Sequence, residues 1–326
     1  QGIIIVSSDS TKITKIPILP YVAEQPRINC MLQKTDSSYY IGTSRGLMYL
    51  VVPRKGTPSI VPIFEEISGD FISSLCYDGK GNVWIGTGYR GVWIYTPKHT
   101  LQQLPISAEQ AAENSGVTTL FKDSHNRMWI GTPGNGLFMY NPIETYITHI
   151  SKSKGLSCPI VSATITDEQG NIWIGTDGGG IHIYSKDMKH TKHLHAANGL
   201  PSDAVLCFAQ SPTHMWISTW RGGIGSIHKK TFEIRVYNKD NSSLVSNGIK
   251  SIAWYAPDTL VIGNHGEGLQ FFNTKTNTCI TDFSITYSSY FPEEQKYITQ
   301  VVVDSKKNIW VATIRNLYCV TGKKVK

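Results

Sequence analysis

Residues 172–184 read IWIGTDGGGIHIY. The same phrase returns as YYIGTSRGLMYL at 39–50, VWIGTGYRGVWIY at 83–95, MWIGTPGNGLFMY at 128–140, MWISTWRGGIGSI at 215–227, LVIGNHGEGLQFF at 260–272 and IWVATIRNLYCV at 309–320. The small residue in the middle of each phrase sets an anchor: Gly42, Gly86, Gly131, Gly175, Ser218, Gly263 and Ala312, spaced by 43 to 49 residues. Seven units fill the 326 residues, so the chain reads as one repeat array and a single domain, 1–326.

Each unit divides into four short strands. In the third they are VTTLFKD, RMWIGT, LFMYNP and TYITHI, separated by the turn-forming DSHNR and PGNG. A four-stranded unit of this length repeated seven times predicts an all-β fold, a seven-bladed β-propeller of antiparallel blades, because radial packing leaves only short, protected edges. Trp84, Trp129, Trp173, Trp216 and Trp310 share one position of the second strand, with Tyr40 and Val261 in two other units. They are expected to pack between blades. The anchor residues are expected where strands approach closely. The last unit ends without its fourth strand, and the N-terminus carries a spare strand-like IIIVSSDSTKITKIPI (3–18). The expectation is that this N-terminal stretch closes the ring, with Thr11 to Ile18 completing the seventh blade. The preceding IIIV is left as an added strand or a remnant of a preceding module.

Composition agrees with a globular aromatic-rich chain. Charged residues make up 17%, against about 25% in an average soluble protein, beside 29 Gly, 8 Trp and 16 Tyr. No run is long enough to span a membrane as a helix. The chain begins at Gln1, as a processed chain or as a domain cut from something longer. Net charge is +7, with lysines scattered, which gives no footprint for nucleic acid. The six cysteines, at 30, 76, 158, 207, 279 and 319, form no C-x-x-C pair. They are read as free structural thiols and not as a zinc site.

At DGKGNVWIGTGYRGVWIY (78–95), DSHNRMWIGTPGNGLFMY (123–140) and DEQGNIWIGTDGGGIHIY (167–184) the sequence resembles the two-component regulator-propeller family. That family's repeat runs approximately D-x-x-G-x-h-W-h-G-T-x-x-G-h. Units five to seven depart from it: Ser218 and Ala312 replace the anchor glycine, and Leu260, Val261 and Ile262 replace the h-W-h core. The resemblance implies the periplasmic sensor part of an inner-membrane hybrid two-component protein of the Bacteroidetes type, detecting oligosaccharides. It also implies neighbouring domains in the same parent: a second propeller, a β-sandwich, a membrane helix and a histidine kinase.

The turns between second and third strands gather on one face around the axis, the default binding surface. Their variable members are the ligand-binding candidates Arg45, Tyr89, Arg90, Asn135, Asp177, Trp220, Arg221, His265, Glu267 and Arg315. Tyr290 and Phe291 join them from the long link TYSSYFPEEQKY (286–297). That link reads equally as a lid or as a docking segment. The link SAEQAAENS before the third blade carries Ser107 and Gln110 at capping-box positions. Tyr89 and Trp220 each precede an arginine, which sets an aromatic plane beside a planar cation suited to sugars and carboxylates.

The histidines of KHTKHLH (190, 193, 195) fall on an outer strand and are not read as a metal site. No nucleophile-elbow, P-loop or dinucleotide motif is present, and no cofactor, metal or catalytic residue is assigned. The resulting expectation is a non-catalytic sensor or docking propeller that binds an oligosaccharide or other small ligand. The turn arginines suit an acidic sugar, and neighbouring domains or a dimer mate are the other partners. The alternatives are a lyase or glycoside hydrolase using His265, Glu267 and Asp177, and a protein-interaction scaffold.

Overall fold

The computed structural model describes residues 2–6, 13–16, 26–53, 55–104, 116–143, 146–279, 296–314 and 316–320. Seven sheets follow one another along the chain, as blades spanning 28–63, 72–103, 119–150, 161–194, 205–237, 249–279 and 298–320. Blades 1 to 6 are antiparallel and run in chain order from an inner strand to an outer one, as the sequence predicts, and blade 7 does so through its first three strands. In blade 4 these are Val161–Thr166, Ile172–Thr176, Gly180–Tyr184 and His190–Leu194.

The N-terminal chain does close the ring, but not with the expected stretch. Gly2–Val6, and not Thr11 to Ile18, lies against the third strand of blade 7, in parallel, with Ile3 opposite Leu317 and Ile5 opposite Cys319. Ile13–Ile16 then folds back antiparallel as a fifth, outermost strand. A continuous β-branched run suits a position flanked by strands on both sides, whereas the mixed ITKI suits an edge. The segment reaches blade 7 without a hairpin, so no connection enforces the antiparallel direction.

The anchor glycines are dictated by the neighbouring blade. A methyl group on Gly42 would lie 2.7 Å from the Ile72 side chain, on Gly86 2.6 Å from Val117, on Gly131 2.9 Å from Val161, and on Gly263 2.6 Å from Ile298. Ile72, Val161 and Ile298 open the next inner strand and Val117 lies just ahead of it. Closeness at the axis is set both by the next blade and by the blade's own inner strand, where Cys30 crowds Gly42 and Thr119 lies 2.5 Å from the added methyl on Gly131. The tryptophans fill the wider wedge further out; Trp84, Trp129, Trp173, Trp216 and Trp310 are all buried.

The phrase holds two further polar devices that its spacing conceals. An aspartate six residues ahead of the tryptophan folds the turn between strands one and two. In blade 3 Asp123 accepts the N–H groups of His125 and Arg127 with one oxygen and the Trp129 indole N–H, at 2.9 Å, with the other. Asp78 with Trp84, Asp167 with Trp173 and Asp304 with Trp310 repeat it at 3.2, 2.9 and 3.0 Å. The threonine of W-I-G-T clamps the next turn by donating to the carbonyl that opens strand three, as Thr132 does to Gly136 and Thr176 to Gly180. In blade 6 Asn264 makes the same bond to Gly268 through its amide.

All six cysteines are free. Burial pushes the Cys30 thiol up to about 12 and Cys76 to about 11, which keeps them as unreactive packing groups. Among the described residues no helix is long and apolar enough to cross a membrane.

Candidate functional site

The first residue of each inner strand pairs with the end of the second, as Ile28 does with Thr43. The residue just ahead of the inner strand therefore lies at the same end as the turns between strands two and three. Of these positions Arg27, Phe71 and Ile160 line the mouth of the axial channel, and Ala204, Gly248 and Tyr297, with Gly116 ahead of blade 3, stand at the same end of their blades. Backbone bonds tie turn to mouth within a blade: Ser44 to Arg27, Gly88 to Phe71, Asp177 to Ile160, Trp220 to Ala204, His265 to Gly248 and Ile314 to Tyr297. In blade 3 the corresponding residue is Pro133, which has no N–H to give.

Behind the mouth lies a channel of about 690 Å³, lined by the inner strands. Most inner strands carry a bulge at their second residue, as at Ser73, Ser162 and Thr299. Several of these polar side chains turn to the neighbouring blade: Asn29 donates to the Ile72 carbonyl at 2.9 Å, Thr118 to Val161 at 2.5 Å, and Ser162 to Val205. The wall is thereby pinned by its own hydroxyls and amides. Leu206 and Lys250 occupy the same position in blades 5 and 6, and Lys250 brings a cation to the channel.

The predicted turn residues divide into two groups. On blades 5 to 7 the structure brings Trp220, Arg221 and His265 together, joined by Tyr297 from the mouth. The Trp220 and His265 rings meet edge to face at 5.1 Å, and His265 meets Tyr297 at 4.9 Å in the same way. The Arg221 guanidinium lies 5.9 Å from the Trp220 ring. Trp220 and Tyr297 remain 37% and 40% exposed, so the arc presents ring surface to solvent. On the adjoining side of the mouth Arg27 stands 5.5 Å over the Phe71 ring. In the sequence Tyr297 stands out only as part of its link, and Arg27 and Phe71 belong to no motif. Their common signal is the position immediately before each inner strand.

The second group serves the turns themselves. Arg90 donates to the Glu66 carbonyl at 2.8 Å and to Asp70 at 3.2 Å, and it stacks over Trp93 at 5.0 Å. Outer strands hold the turns of blades 2 to 4: Gln103 donates to the Arg90 carbonyl, and His149 and His193 bond those of Asn135 and Gly179. Arg45 engages Thr43 through its N–H, and Tyr89 projects 75% exposed. Asp177 is exposed at the channel mouth, and Glu267 is exposed on blade 6, two blades away. Tyr290, Phe291, Arg315 and the capping-box link with Ser107 and Gln110 lie outside the described residues.

The outer histidines do more than blunt an edge. His193 stacks on the buried His182 at 4.1 Å, and His190 contacts the same ring. The Ser157 N–H donates to His182 Nε2 at 3.1 Å while its hydroxyl donates to Gly179. Burial first, then the neighbouring His193 and His190, push His182 down to about 3. Among the described residues no group of three or more histidine, cysteine or acidic side chains is placed to hold a metal ion.

Comparison with known proteins places this architecture. No curated protein matches the chain in sequence. The fold matches the extracellular domain of the putative hybrid two-component system BT4673 from B. thetaiotaomicron, with 18% identity and a TM-score of 0.54 over 98% of this chain. This chain spans about half, 50%, of that domain. A catalytically inactive virginiamycin B lyase from Staphylococcus aureus, solved with quinupristin, matches at 14% identity and a TM-score of 0.68, over 92% of this chain and 96% of that one. PorZ of Porphyromonas gingivalis matches at 11% identity and 0.66, over 94% and 48%. At these identities the likeness is one of fold. The family model described as two component regulator propeller matches residues 66–89, 112–134 and 155–178, each a passage from one blade into the next. In these three stretches the chain carries the repeat of the two-component regulator propeller family, and the same phrase recurs in its other blades.

Proposed function

We propose that this propeller is a non-catalytic sensor or docking module on the extracytoplasmic side of a two-component signalling protein, and that its mouth binds an oligosaccharide. The observation that carries the reading is the arc of partly exposed rings, Trp220, His265 and Tyr297, at the channel mouth. Sugar rings present apolar C–H faces that pack on such planes, while hydroxyls and carboxylates take hydrogen bonds from planar cations. Arg221 and Arg27 stand beside aromatic rings at this face and Lys250 lies in the channel below. Arg90 is engaged by Asp70 and the Glu66 carbonyl, so this reading gives recognition to Arg221 and Arg27 ahead of it.

Several features support a binding role over turnover. The candidate acids Asp177 and Glu267 are exposed and on non-adjacent blades, and His265 is wedged between two rings. The rigid ring transmits a signal through differential affinity of ligand for two arrangements of neighbouring domains or subunits.

Thermal denaturation with neutral, uronic-acid and sulfated oligosaccharides at low and moderate salt tests the reading. A bound ligand must raise the melting temperature by mass action. A salt-sensitive rise with acidic sugars assigns recognition to the arginines. A salt-insensitive rise with neutral sugars assigns it to the rings. No rise with any sugar overturns oligosaccharide binding and leaves a protein-docking scaffold, and consumption of a sugar overturns the non-catalytic reading.

A further inference from the structure

Blade 5 breaks the pattern that Trp84, Trp129, Trp173 and Trp310 obey at the same strand position. Its turn between strands one and two is SPTH where blade 3 has DSHNR, one residue shorter. Ser211 stands in the place of the aspartate, since its N–H bonds the His214 carbonyl at 3.0 Å as Asp123 bonds Arg127. Its hydroxyl is spent on the turn, against the N–H and carbonyl of His214 at 3.1 and 3.3 Å. Trp216 is 4% exposed, and its indole N–H has no acceptor among the described residues. A buried donor without a partner is an uncommon and costly feature.

That indole borders a groove of about 340 Å³ between blades 5 and 6, at the end of the ring opposite the mouth. The groove is lined by the Ser211 turn, by the rings of Tyr237 and Trp254, by Arg235 and Lys275, and by one carboxylate, Asp258, which Lys275 neutralises. Arg235 pairs with Glu233 at 3.0 Å and Lys275 with Asp258 at 2.9 Å, both through exposed side chains. Exposed pairs of this kind are weak and exchange readily for another anion. The equivalent groove between blades 2 and 3 is smaller, about 240 Å³, and contains Asp78, the carboxylate that accepts from Trp84.

We propose that the groove beside Trp216 is a binding site for a small carboxylic acid, whose carboxylate accepts the Trp216 indole N–H as aspartate does in four other blades. Arg235 and Lys275 draw the anion in, and the Tyr237 and Trp254 rings pack against its apolar body. The site is independent of the oligosaccharide reading, because it involves no residue of the mouth.

The indole N–H resonances of the intact chain report it directly. The Trp216 signal is identified by its loss in Trp216→Phe. Benzoate and glutarate, titrated at constant ionic strength, should shift that signal saturably, while the neutral isostere benzamide and chloride leave it in place. Trp216→Phe should weaken the thermal stabilisation by benzoate about tenfold, the scale of one charge-assisted hydrogen bond. If Trp216→Phe does not fold, the surface variant Arg235→Gln with Lys275→Gln should weaken it comparably. An unshifted Trp216 signal at saturating benzoate overturns the proposal. So does an equal response to benzamide, which marks a site for any flat ring, with water as the partner of the indole.

Discussion

The Tyr39 hydroxyl in blade 1 donates to the Asp304 carboxylate in blade 7 at 3.1 Å, a bond between residues 265 positions apart. Asp304 already accepts the Trp310 indole, and the Tyr39 and Trp310 rings lie 4.6 Å apart. The first and last blades are therefore joined through the same carboxylate that orders a turn. The Gln33 side chain accepts the Ser305 N–H, and Lys306 reaches the Asp36 carbonyl, across the same seam. Residues 2–6 and 13–16 belong to blade 7 and the chain then leads into blade 1, so the ring's non-covalent closure is the pairing of Gly2–Val6 with Asn316–Val320, and these side-chain contacts reinforce the neighbouring seam.

Tyr39→Phe keeps the ring and removes the bond. Burial, with the Asp304 charge next, raises the Tyr39 hydroxyl above its ordinary range, consistent with a donor held neutral against an anion. The expected loss is about 1.5–3 kcal/mol, the range for a hydrogen bond to a charged group. Urea denaturation measures it. A loss below a few tenths would show that the seam is held by packing alone.

At the anchor positions the sign of a substitution follows from the neighbouring blade. Gly131→Ala would place its methyl 2.5 Å from Thr119 and 2.9 Å from Val161, within the inner strands of two blades. A loss of about 1–3 kcal/mol is expected from such overpacking, read as a lowered urea midpoint. In blade 5 the anchor is Ser218, fully buried with a hydroxyl that has no partner among the described residues. Ser218→Ala retains the Cβ, removes the stranded polar atom, and is expected to raise stability by about 1 kcal/mol. A fall in the midpoint would mean that a water serves that hydroxyl.

How much of this was legible in the sequence follows from what each residue does locally. The blades, the packed tryptophans and the crowded anchors were readable because strand alternation, ring size and the lack of a side chain act within one repeat. The aspartate of the first turn was readable only as a turn former, although its six-residue lead over Trp84, Trp129, Trp173 and Trp310 is the signal for its second bond. The closing strand was misplaced because two stretches, IIIV and ITKI, have comparable strand character, and choosing between them requires the geometry of blade 7. The turn arginines looked equivalent in sequence. Arg90 differs from Arg221 only through Asp70 and Glu66, which the fold brings to it from the preceding link.

The His182 arrangement predicts a pH dependence with a definite sign. Its Nε2 accepts from Ser157, which leaves its proton on Nδ1 facing His190 at 3.0 Å, so the folded protein holds this imidazole neutral. Buried and set beside two other histidines, it is lowered from 6.5 to about 3, so the unfolded chain takes up a proton first. Stability is then unaffected above about pH 6.5 and falls as pH drops toward 3, by up to about 1.4 kcal/mol per pH unit. His190, also lowered by burial and His193, acts in the same direction. His182→Gln should flatten the profile of urea midpoints taken between about pH 7 and about pH 4.5. An unchanged slope would assign acid sensitivity elsewhere.

The mouth is tested by variants that separate rings from turn structure. Trp220 and Tyr297 flank His265 without closing over it, so Trp220→Ala and Tyr297→Ala remove ligand surface from partly exposed positions and are expected to fold. Each should weaken the binding of a sugar that stabilises the parent chain by about tenfold, as loss of one stacking plane implies. Arg221→Lys keeps the charge beside Trp220 but loses the planar fork, so it should weaken an acidic sugar more than a neutral one. Arg90→Lys breaks the ties to Asp70 and the Glu66 carbonyl and should lower stability slightly, with sugar affinity kept within about twofold. Isothermal titration of the four variants decides between the two groups of turn residues. Strong loss in Arg90→Lys with none in Trp220→Ala would move the site from blades 5 to 7 to blade 2, where Tyr89 is the exposed ring.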